Sequence, residues 1–269
     1  MRDLLKNKFA VTGAIILLAL AVVALGAPWI APYDPLAVNL PEALLPPSSA
    51  HWLGTDPLGR DVLSRLIYGA RISLTIGFIA VGIAVLVGTV VGSVAGFYGG
   101  WIDTALMRLV DTLLSIPSVF LLLAVIAIIG PSIQLIMAVI GLTGWMGVAR
   151  LVRAEVLSLK EREFVLAARV LGASPLRLLR RHLLPNAMGP VLVSATLGVG
   201  GAILTESVLS YLGLGVQPPT PSWGNVLNEG RVALGVAWWL TLTPGLCILI
   251  TVLAFNLLGE GIRERFLRR

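Results

Sequence analysis

The stretch Ile72–Ile102 reads ISLTIGFIAVGIAVLVGTVVGSVAGFYGGWI and contains no Asp, Glu, Lys or Arg. A membrane-spanning helix needs about 20 predominantly apolar residues, since each residue advances the helix by about 1.5 Å through a hydrocarbon core of about 30 Å. The stretch is long enough to meet this requirement. It therefore predicts that the chain crosses a membrane.

Similar uncharged runs lie on both sides of this stretch. Phe9–Tyr33, Leu183–Thr205 and Val232–Gly259 each predict one span, the second of them continuing to about residue 212. Thr112–Ala149 is too long for one span and contains Gly130-Pro131, a helix stop, so it predicts a hairpin of two spans. The sequence therefore predicts an all-α, polytopic membrane protein with six transmembrane helices.

The composition agrees with this class. Hydrophobic residues make up 57% of the chain and charged residues only 13%, about half the share of a soluble domain. This disfavours a disordered chain, a coiled coil, a collagen and a soluble enzyme. The single cysteine, Cys247, excludes an intramolecular disulfide and a Cys-rich metal site, and His51 and His182 are too few for a His-based centre. We expect no metal site.

The distribution of Lys and Arg predicts the orientation. If both termini are cytoplasmic, the segments on that side hold 16 of the 20 basic residues. The remaining four are Arg60, Arg65, Arg71 and Arg231. Cytoplasmic loops carry an excess of Lys and Arg, so this orientation is favoured and the net charge of +6 requires no nucleic-acid partner.

Glu206 is the only acidic residue well inside a predicted span, and Ser207 and Ser210 flank it at helical spacing. A charge at such depth is costly, so it should face a partner or water. Two interpretations remain open. The three residues line a possible translocation path, or Glu206 lies near the outer end of its span and makes a structural hydrogen bond.

Two further patterns concern the shape of the spans. Pro117 and Pro244 fall inside the third and sixth spans and each predicts a kink. Small residues repeat every fourth position in the second span and allow another helix to approach closely, within the chain or from a partner subunit. These residues are Gly88, Gly92, Gly96 and Gly100.

The main cytoplasmic loop, residues 150–186, contains the segment LKEREFVLAARVLGASPLRLLRRHLLPN over 159–186. Phe164, Ala167, Ala168 and Leu171 recur at the spacing of one helix face. The small residues allow another protein to approach, and the two large apolar residues could enter a groove on it. The alternative is an amphipathic loop that lies on the membrane.

Turn chemistry predicts where this short helix ends. Gly172 suits its C-terminal cap, and Ser174 with Pro175 suits the start of a second helix. One side of that second helix is predicted to be apolar and the other to face anionic lipid headgroups. The two sides consist of Leu176, Leu179 and Leu183, and of Arg177, Arg180 and Arg181.

The loop resembles the docking motif of ABC importer permeases, in which Glu-Ala-Ala is followed by Gly and then by Leu-Pro. Ala167-Ala168, Gly172 and Leu184-Pro185 match in order and spacing, whereas Leu166 stands where the pattern has Glu. The resemblance implies a coupling helix that docks into a cytoplasmic ATPase. The residues it assigns to this contact are Glu163, Phe164, Ala167, Ala168, Arg169, Leu171, Gly172, Ala173 and Ser174.

Several other segments are similar to the dipeptide/oligopeptide/nickel group of these permeases, and within it to the C-type permease of dipeptide systems. Tyr211 stands where that group more often has Phe. The similar segments are His51–Asp56, Gly59–Arg65, Leu209–Gly215, Pro218-Pro219, Pro221–Gly224 and Ala254–Gly259.

This resemblance implies a type I ABC importer permease fold, with an N-terminal helix and extracytoplasmic loop over 1–70 and a transmembrane domain over 71–269. It implies as partners a homologous second permease in a heterodimer, two cytoplasmic ABC ATPases, an extracytoplasmic binding protein and the lipid of a prokaryotic cell membrane. The chain lacks the phosphate-binding motif G-x-x-x-x-G-K-[S/T]. We therefore expect a transport subunit rather than an enzyme, with ATP and Mg bound by the ATPases.

The expected cargo is di- and oligopeptides. A permease for nickel or a nickel chelate, in the same family, remains an alternative. An ion-coupled secondary transporter is a second one, although it would need ionisable relays within the spans and Glu206 is almost alone there.

The predicted orientation can be measured with reporter fusions. A reporter joined after Pro47 should be active only outside the cytoplasm, and one joined after Arg181 only inside it. If both fusions report the same side, the predicted orientation is wrong.

Overall fold

The computed structural model describes residues 7–267 of the chain. The basic residues Arg2, Lys6, Arg268 and Arg269, which contribute to the predicted orientation, lie outside these described residues. Between residues 7 and 267 the chain forms helices and no β-strand. The helices α1 to α11 are Lys8–Leu25, Ala27–Ile30, Val62–Tyr98, Gly100–Leu114, Ser118–Ile129, Ile133–Lys160, Glu163–Val170, Pro175–Arg177, Leu184–Tyr211, Trp223–Val232 and Trp239–Leu267.

Five helical segments in the described part of the chain are long and apolar enough to cross a membrane. Four of them are α1, α3, α6 and most of α11. The fifth is Pro175–Tyr211, in which α8, a π-helical turn and α9 follow one another without a break, and we call it the long helix. Helices α4 and α5 together form a sixth candidate span, bent by 79°. The prediction of six transmembrane helices is confirmed with this pair counted as one span.

Helices α3 and α6 run parallel and pack closely. Gly88 lies against Val148, Gly92 against the backbone of α6 one turn further on, and Gly96 against Val156. Residue numbers therefore increase in the same direction along both helices, as parallel packing requires. The interpretation of these glycines as packing within the chain is confirmed, although the fourth glycine of the pattern already belongs to α4.

The contacts between other helices define two sides of the bundle. The Asn7 side chain, before α1, donates a hydrogen bond of 2.6 Å to Glu264, near the end of α11. Lys160, at the end of α6, donates one of 2.8 Å to the carbonyl of Phe97 in the last turn of α3. We call the side that holds these four residues the terminal side, and the opposite one, which holds the segments 26–61 and 212–238, the loop side.

The third span differs from the prediction in form. Pro117 does not kink a continuous helix, because α4 ends at Leu114 and Pro117 precedes the first residue of α5. Helix α5 has 12 residues, about 18 Å of rise, and is too short to cross a bilayer alone. The predicted hairpin is confirmed, since α5 ends at Gly130 and Ser132 caps α6. Pro244 lies inside α11 as predicted.

Gly92→Ala should destabilise the bundle, because a Cβ at this position would meet the backbone of Ala149. Overpacking of this kind costs about 1–3 kcal/mol. Gly82→Ala is the matched control, since it lies in the same helix with nothing within 4 Å of the added Cβ. The thermal unfolding midpoint in detergent should fall for Gly92→Ala only, and equal midpoints would contradict the packing described above.

Candidate functional site

Helix α7 is a largely exposed element on the terminal side. Val165 anchors it, since this residue is fully buried in a cluster with Val156, Leu178 and Leu183. The sequence analysis did not predict this role for Val165, because the apolar spacing it followed defines a different face of the helix. Ala168 is partly buried against the same cluster and the other residues of α7 are exposed, so α7 is attached to the bundle but open to a partner.

The exposed surface of α7 and of the residue after it includes large apolar side chains beside the charged Glu163 and Arg169. Phe164 is 45% exposed, beside the ring of His182, and Val170 and Leu171 are each 87% exposed. Solvent rarely contacts such a concentration of large apolar side chains unless another molecule covers them. All nine residues predicted to contact an ATPase are exposed or partly exposed.

Gly172 ends α7 as predicted. Its φ of +80° is left-handed, a conformation that costs little only for glycine. The amide of Gly172 donates to the carbonyl of Arg169, and the amide of Ala173 to that of Ala168, each at 3.0 Å. These two bonds form a Schellman motif, which satisfies the last carbonyls of the helix. The turn after α7 is thereby fixed in one conformation.

The predicted second loop helix is not a separate element. Ser174 precedes it and Pro175 begins it as predicted, but the Ser174 side chain makes no capping hydrogen bond. The helix then passes through a π-helical turn, Leu178–Leu183, directly into α9. The second half of the predicted loop and the following span are therefore one continuous helix, Pro175–Tyr211.

The π-helical turn also changes which residues are buried. Leu178 and Leu183 are buried, whereas Leu176 is 61% exposed, so the prediction that Leu176 lies on the apolar side is wrong. A π turn holds more residues than an α turn and shifts the helix face, which a 3.6-residue period does not anticipate. The exposed basic side chains here are Arg177, Arg180 and Arg181.

The structure places Glu206 in the interior. Its carboxylate accepts hydrogen bonds from the hydroxyl groups of Ser210 at 2.6 Å, Ser222 at 3.0 Å and Ser73 at 3.4 Å. Glu206 is fully buried, and Ser207 and Ser210 are almost so. In this conformation the three residues predicted to line a translocation path do not face an open space.

The open space lies on the neighbouring face of α9. A cavity of about 300 Å³ lies between α3, α5, α6 and α9. Its lining combines small and aliphatic side chains with a few hydroxyl groups, among them those of Thr143, Ser194 and Thr205, and contains no charged residue. It shares Gly147 and Ser194 with a second cavity, of about 810 Å³, which extends toward the terminal side. The regular spacing of small residues along α9 is the sequence pattern that indicates this cavity, and it is not among the patterns from which the translocation path was predicted.

Buried ion pairs join two segments on the loop side. Arg60 donates to Asp56 at 2.6 Å and to Glu229 of α10 at 3.0 Å. Arg65 also pairs with both carboxylates. Burying such charges is tolerable only when they are paired. Each arginine here has carboxylate partners, although the buried Nε of Arg65 makes no hydrogen bond. Sequence analysis missed it, because Glu229 is distant in the chain.

His51 belongs to the same side and is structural. Its Nδ1 lies 2.9 Å from Asp61 Oδ1, and Asp61 also accepts from the amide of Ser64 to cap α3. Among residues 7–267 there is no group of three or more His, Cys, Asp and Glu side chains that could hold a metal ion.

Comparison with known families agrees with this architecture. The family described as "Binding-protein-dependent transport system inner membrane component" matches residues 88–269. The chain belongs to this family. A second one, described as "N-terminal TM domain of oligopeptide transport permease C", matches residues 1–47. The protein is therefore an integral membrane permease of the ABC importer class.

Named relatives cover nearly the whole permease. It is 43% identical over 263 residues to the dipeptide transport system permease protein DppC of Alkalihalophilus pseudofirmus, covering 98% of this chain and 86% of the relative. It is 43% identical over 258 residues to the oligopeptide permease OppC of Bacillus subtilis, with 96% and 85% covered. The glutathione permease GsiD of an Escherichia coli strain is 43% identical over 263 residues, with 96% and 86% covered.

Solved structures show the fold. The methionine transporter MetNI in inward-facing conformations matches with a TM-score of 0.59 at 19% identity, covering 76% of this permease and 95% of that chain. An amino acid ABC transporter with histidines matches with a TM-score of 0.57 at 17% identity, covering 76% and 92%. The fold is that of a type I ABC importer permease.

Replacing Gly172 tests the turn after α7. Gly172→Val should impair import by the complete transporter several-fold, since a left-handed residue other than glycine costs about 1–2 kcal/mol. Nothing within this chain lies within 4 Å of a Cβ built here, so the effect on the permease itself is one of backbone conformation.

Gly172→Asn is the matched control, because asparagine tolerates the left-handed region and should retain most import. Both variants should reach the membrane in normal amounts on immunoblots. Normal import by Gly172→Val would show that this conformation is not needed.

Proposed function

We propose that the chain is the permease subunit of an ATP-driven importer for di- and oligopeptides, and that α7 couples it to cytoplasmic ATPases. The observation that carries the coupling is the exposed apolar face of α7. An exposed helix with apolar residues at helical spacing fits a helix-in-groove contact. The orientation with both termini cytoplasmic places α7 on the side where ATP is available.

The attachment of α7 supports a mechanical role. Val165 is buried against Leu178 and Leu183 at the start of the long helix, and the Schellman motif fixes the turn between the two elements. A force applied to α7 therefore reaches the long helix through a packed contact and a rigid turn. A loose surface loop would dissipate the same force.

The mechanism that follows is alternating access. ATP closes the ATPase dimer, the docked helices move, and the paired permeases open toward an extracytoplasmic binding protein; hydrolysis returns them to the inward-facing state. ATP and Mg are bound by the ATPases, and a homologous second permease completes the pathway as a heterodimer. The nucleotide can drive this cycle only if it binds the two states with different affinities.

The cavity along α9 supports peptides as cargo. Its lining offers hydroxyl groups such as those of Ser194 and Thr205, and no charge. Such a surface forms weak hydrogen bonds with any peptide backbone and does not select a side chain. The relatives named above transport dipeptides, oligopeptides and glutathione according to their names.

Two alternatives from the sequence differ from this proposal. Membership in a binding-protein-dependent family argues against an ion-coupled secondary transporter. A nickel permease differs from a peptide permease in the cargo of its binding protein. Mass spectrometry of small molecules on the binding protein that co-purifies with the tagged permease distinguishes the two, with peptides expected and nickel overturning the peptide assignment.

Val170→Asp tests the docking contact. The side chain is 87% exposed, so the change should not disturb folding, but a charge in an apolar groove should prevent docking. Loss of one buried apolar side chain costs about 1.5–3 kcal/mol, so ATPase affinity should fall at least about tenfold. Phe164→Asp should act in the same direction.

Val232→Asp on the loop side is the control, since this valine is 85% exposed. ATPase subunits should co-purify with Val232→Asp and with the unchanged permease in equal amounts. Undiminished recovery with Val170→Asp and Phe164→Asp would refute the contact.

A further inference from the structure

Glu206 lies where the long helix reaches α10, at the end remote from α7. We propose that Glu206 is a positioning residue that fixes α10 to the long helix, so that movement of α7 is transmitted to the loop side. This rests on the proposed coupling role of α7. The long helix has 37 residues, about 55 Å at the α-helical rise, and Pro190 lies inside its α9 part. It is thus long enough to connect both sides of the membrane.

The joint at Glu206 links three helices. Ser210 belongs to α9 itself, Ser73 to α3, and Ser222 is the N-cap of α10. The Ser222 hydroxyl donates to Glu206 and accepts from the amide of Asn225, so one side chain both starts α10 and attaches it. The position of α10 therefore depends directly on this carboxylate.

Close backbone packing makes the joint stiff. A Cβ added at Gly224, in the first turn of α10, would lie 2.7 Å from Ser207 Cα and 2.6 Å from Ser210 Cβ. The Ser210 hydroxyl also accepts from the amide of Val216 at 3.0 Å, which attaches the turn before α10. The first turn of α10 therefore has no free space in which to shift relative to α9.

A second joint continues the connection. Glu229, further along α10, pairs with Arg60 and Arg65, and these pair with Asp56 of the segment 26–61. Helix α10 is thus held at its start by the hydroxyl cluster and near its end by ion pairs. Displacement of α9 should reach the outer surface through these two attachments.

The joint requires a hydrogen-bond acceptor at position 206 and does not require a cation beside it. Across residues 7–267, the hydrogen bonds that Glu206 accepts come from hydroxyl groups, and it forms no salt bridge. A glutamine can preserve the arrangement, since its oxygen accepts from Ser210 and Ser222 while its amide donates to Ser73. A leucine of similar volume leaves three buried hydroxyls without this acceptor. Glu206→Gln should therefore rescue what Glu206→Leu loses.

The experiment measures the joint directly. Cys247 is the only cysteine, so a Cys247→Ser background accepts spin labels at Leu212→Cys, after α9, and Val232→Cys, at the end of α10. The complete importer with both permeases, ATPases and binding protein is reconstituted in vesicles. The distance between the labels is recorded without nucleotide and with ATP trapped, together with peptide import and ATP hydrolysis.

Four backgrounds are compared: the unchanged joint, Glu206→Gln, Glu206→Leu and Thr251→Val. Thr251 is a matched control, because it is fully buried and its hydroxyl bonds only within its own helix, to the Cys247 carbonyl. We expect a narrow distribution of label distances, with the same mean in both nucleotide states, for the unchanged joint, Glu206→Gln and Thr251→Val. Glu206→Leu should broaden the distance and lower import per ATP hydrolysed at least about fivefold, the smallest effect expected of a real coupling.

Two results would overturn the proposal. One is a label distance that changes between nucleotide states with the joint unchanged, since α10 would then move independently of α9. The other is normal import per ATP and a narrow distance for Glu206→Leu. If Glu206→Leu fails to assemble, Ser73→Ala is used instead. This change removes the longest of the three bonds to Glu206 and the bond of 3.4 Å that the Trp223 amide of α10 donates to the Ser73 hydroxyl. It must broaden the distance distribution, and an unaltered distribution refutes the joint.

Failure of the docking role of α7 is detected separately. It would appear as undiminished ATPase co-purification with Val170→Asp, a measurement that does not involve Glu206. If α7 does not dock but the joint proves rigid, the hydroxyl cluster still fixes α10 to α9. Only its proposed role in transmitting movement is then refuted.

Discussion

The parallel packing of α3 against α6 is the contact on which the rest of the arrangement depends. It relies on glycines that allow the helix backbones to approach, because apolar side chains gain little from leaving lipid for one another. Since the two helices point the same way, the chain must cross the membrane between them. That crossing is the broken pair α4 and α5, and Arg153 of α6 holds α4 in place through Asp103.

The two sides of the bundle are stabilised by different chemistry. On the terminal side, α7 has one buried anchor, Val165, and leaves Val170 and Leu171 exposed, as the proposed docking contact requires. On the loop side, buried carboxylates find their partners within the chain, as Glu206 does with three hydroxyls and Asp56 with two arginines. A firmly held loop side and an exposed α7 on the terminal side suit the proposed subunit, which ATPases would drive from one side only.

The sequence predicted the helices better than the contacts between them. Uncharged runs locate the spans because lipid imposes a length and a polarity on every crossing, and Gly172 marks a turn that only its backbone freedom allows. Pro117 was placed inside a span, because hydropathy does not distinguish one helix from two at a break. Glu206 could be recognised as unusual from its depth alone. Its partners could not, since Ser73 and Ser222 are brought to it by the fold.

The π-helical turn Leu178–Leu183 has a consequence for the geometry of docking. A turn of this kind accommodates one more residue than the α-helical turn, and one residue corresponds to a rotation of about 100° around the helix axis. Loss of a single residue from this turn would leave the membrane-spanning part unchanged and point the exposed face of α7 in another direction. The turn therefore sets the angular register between the proposed docking surface and the helix that crosses the membrane.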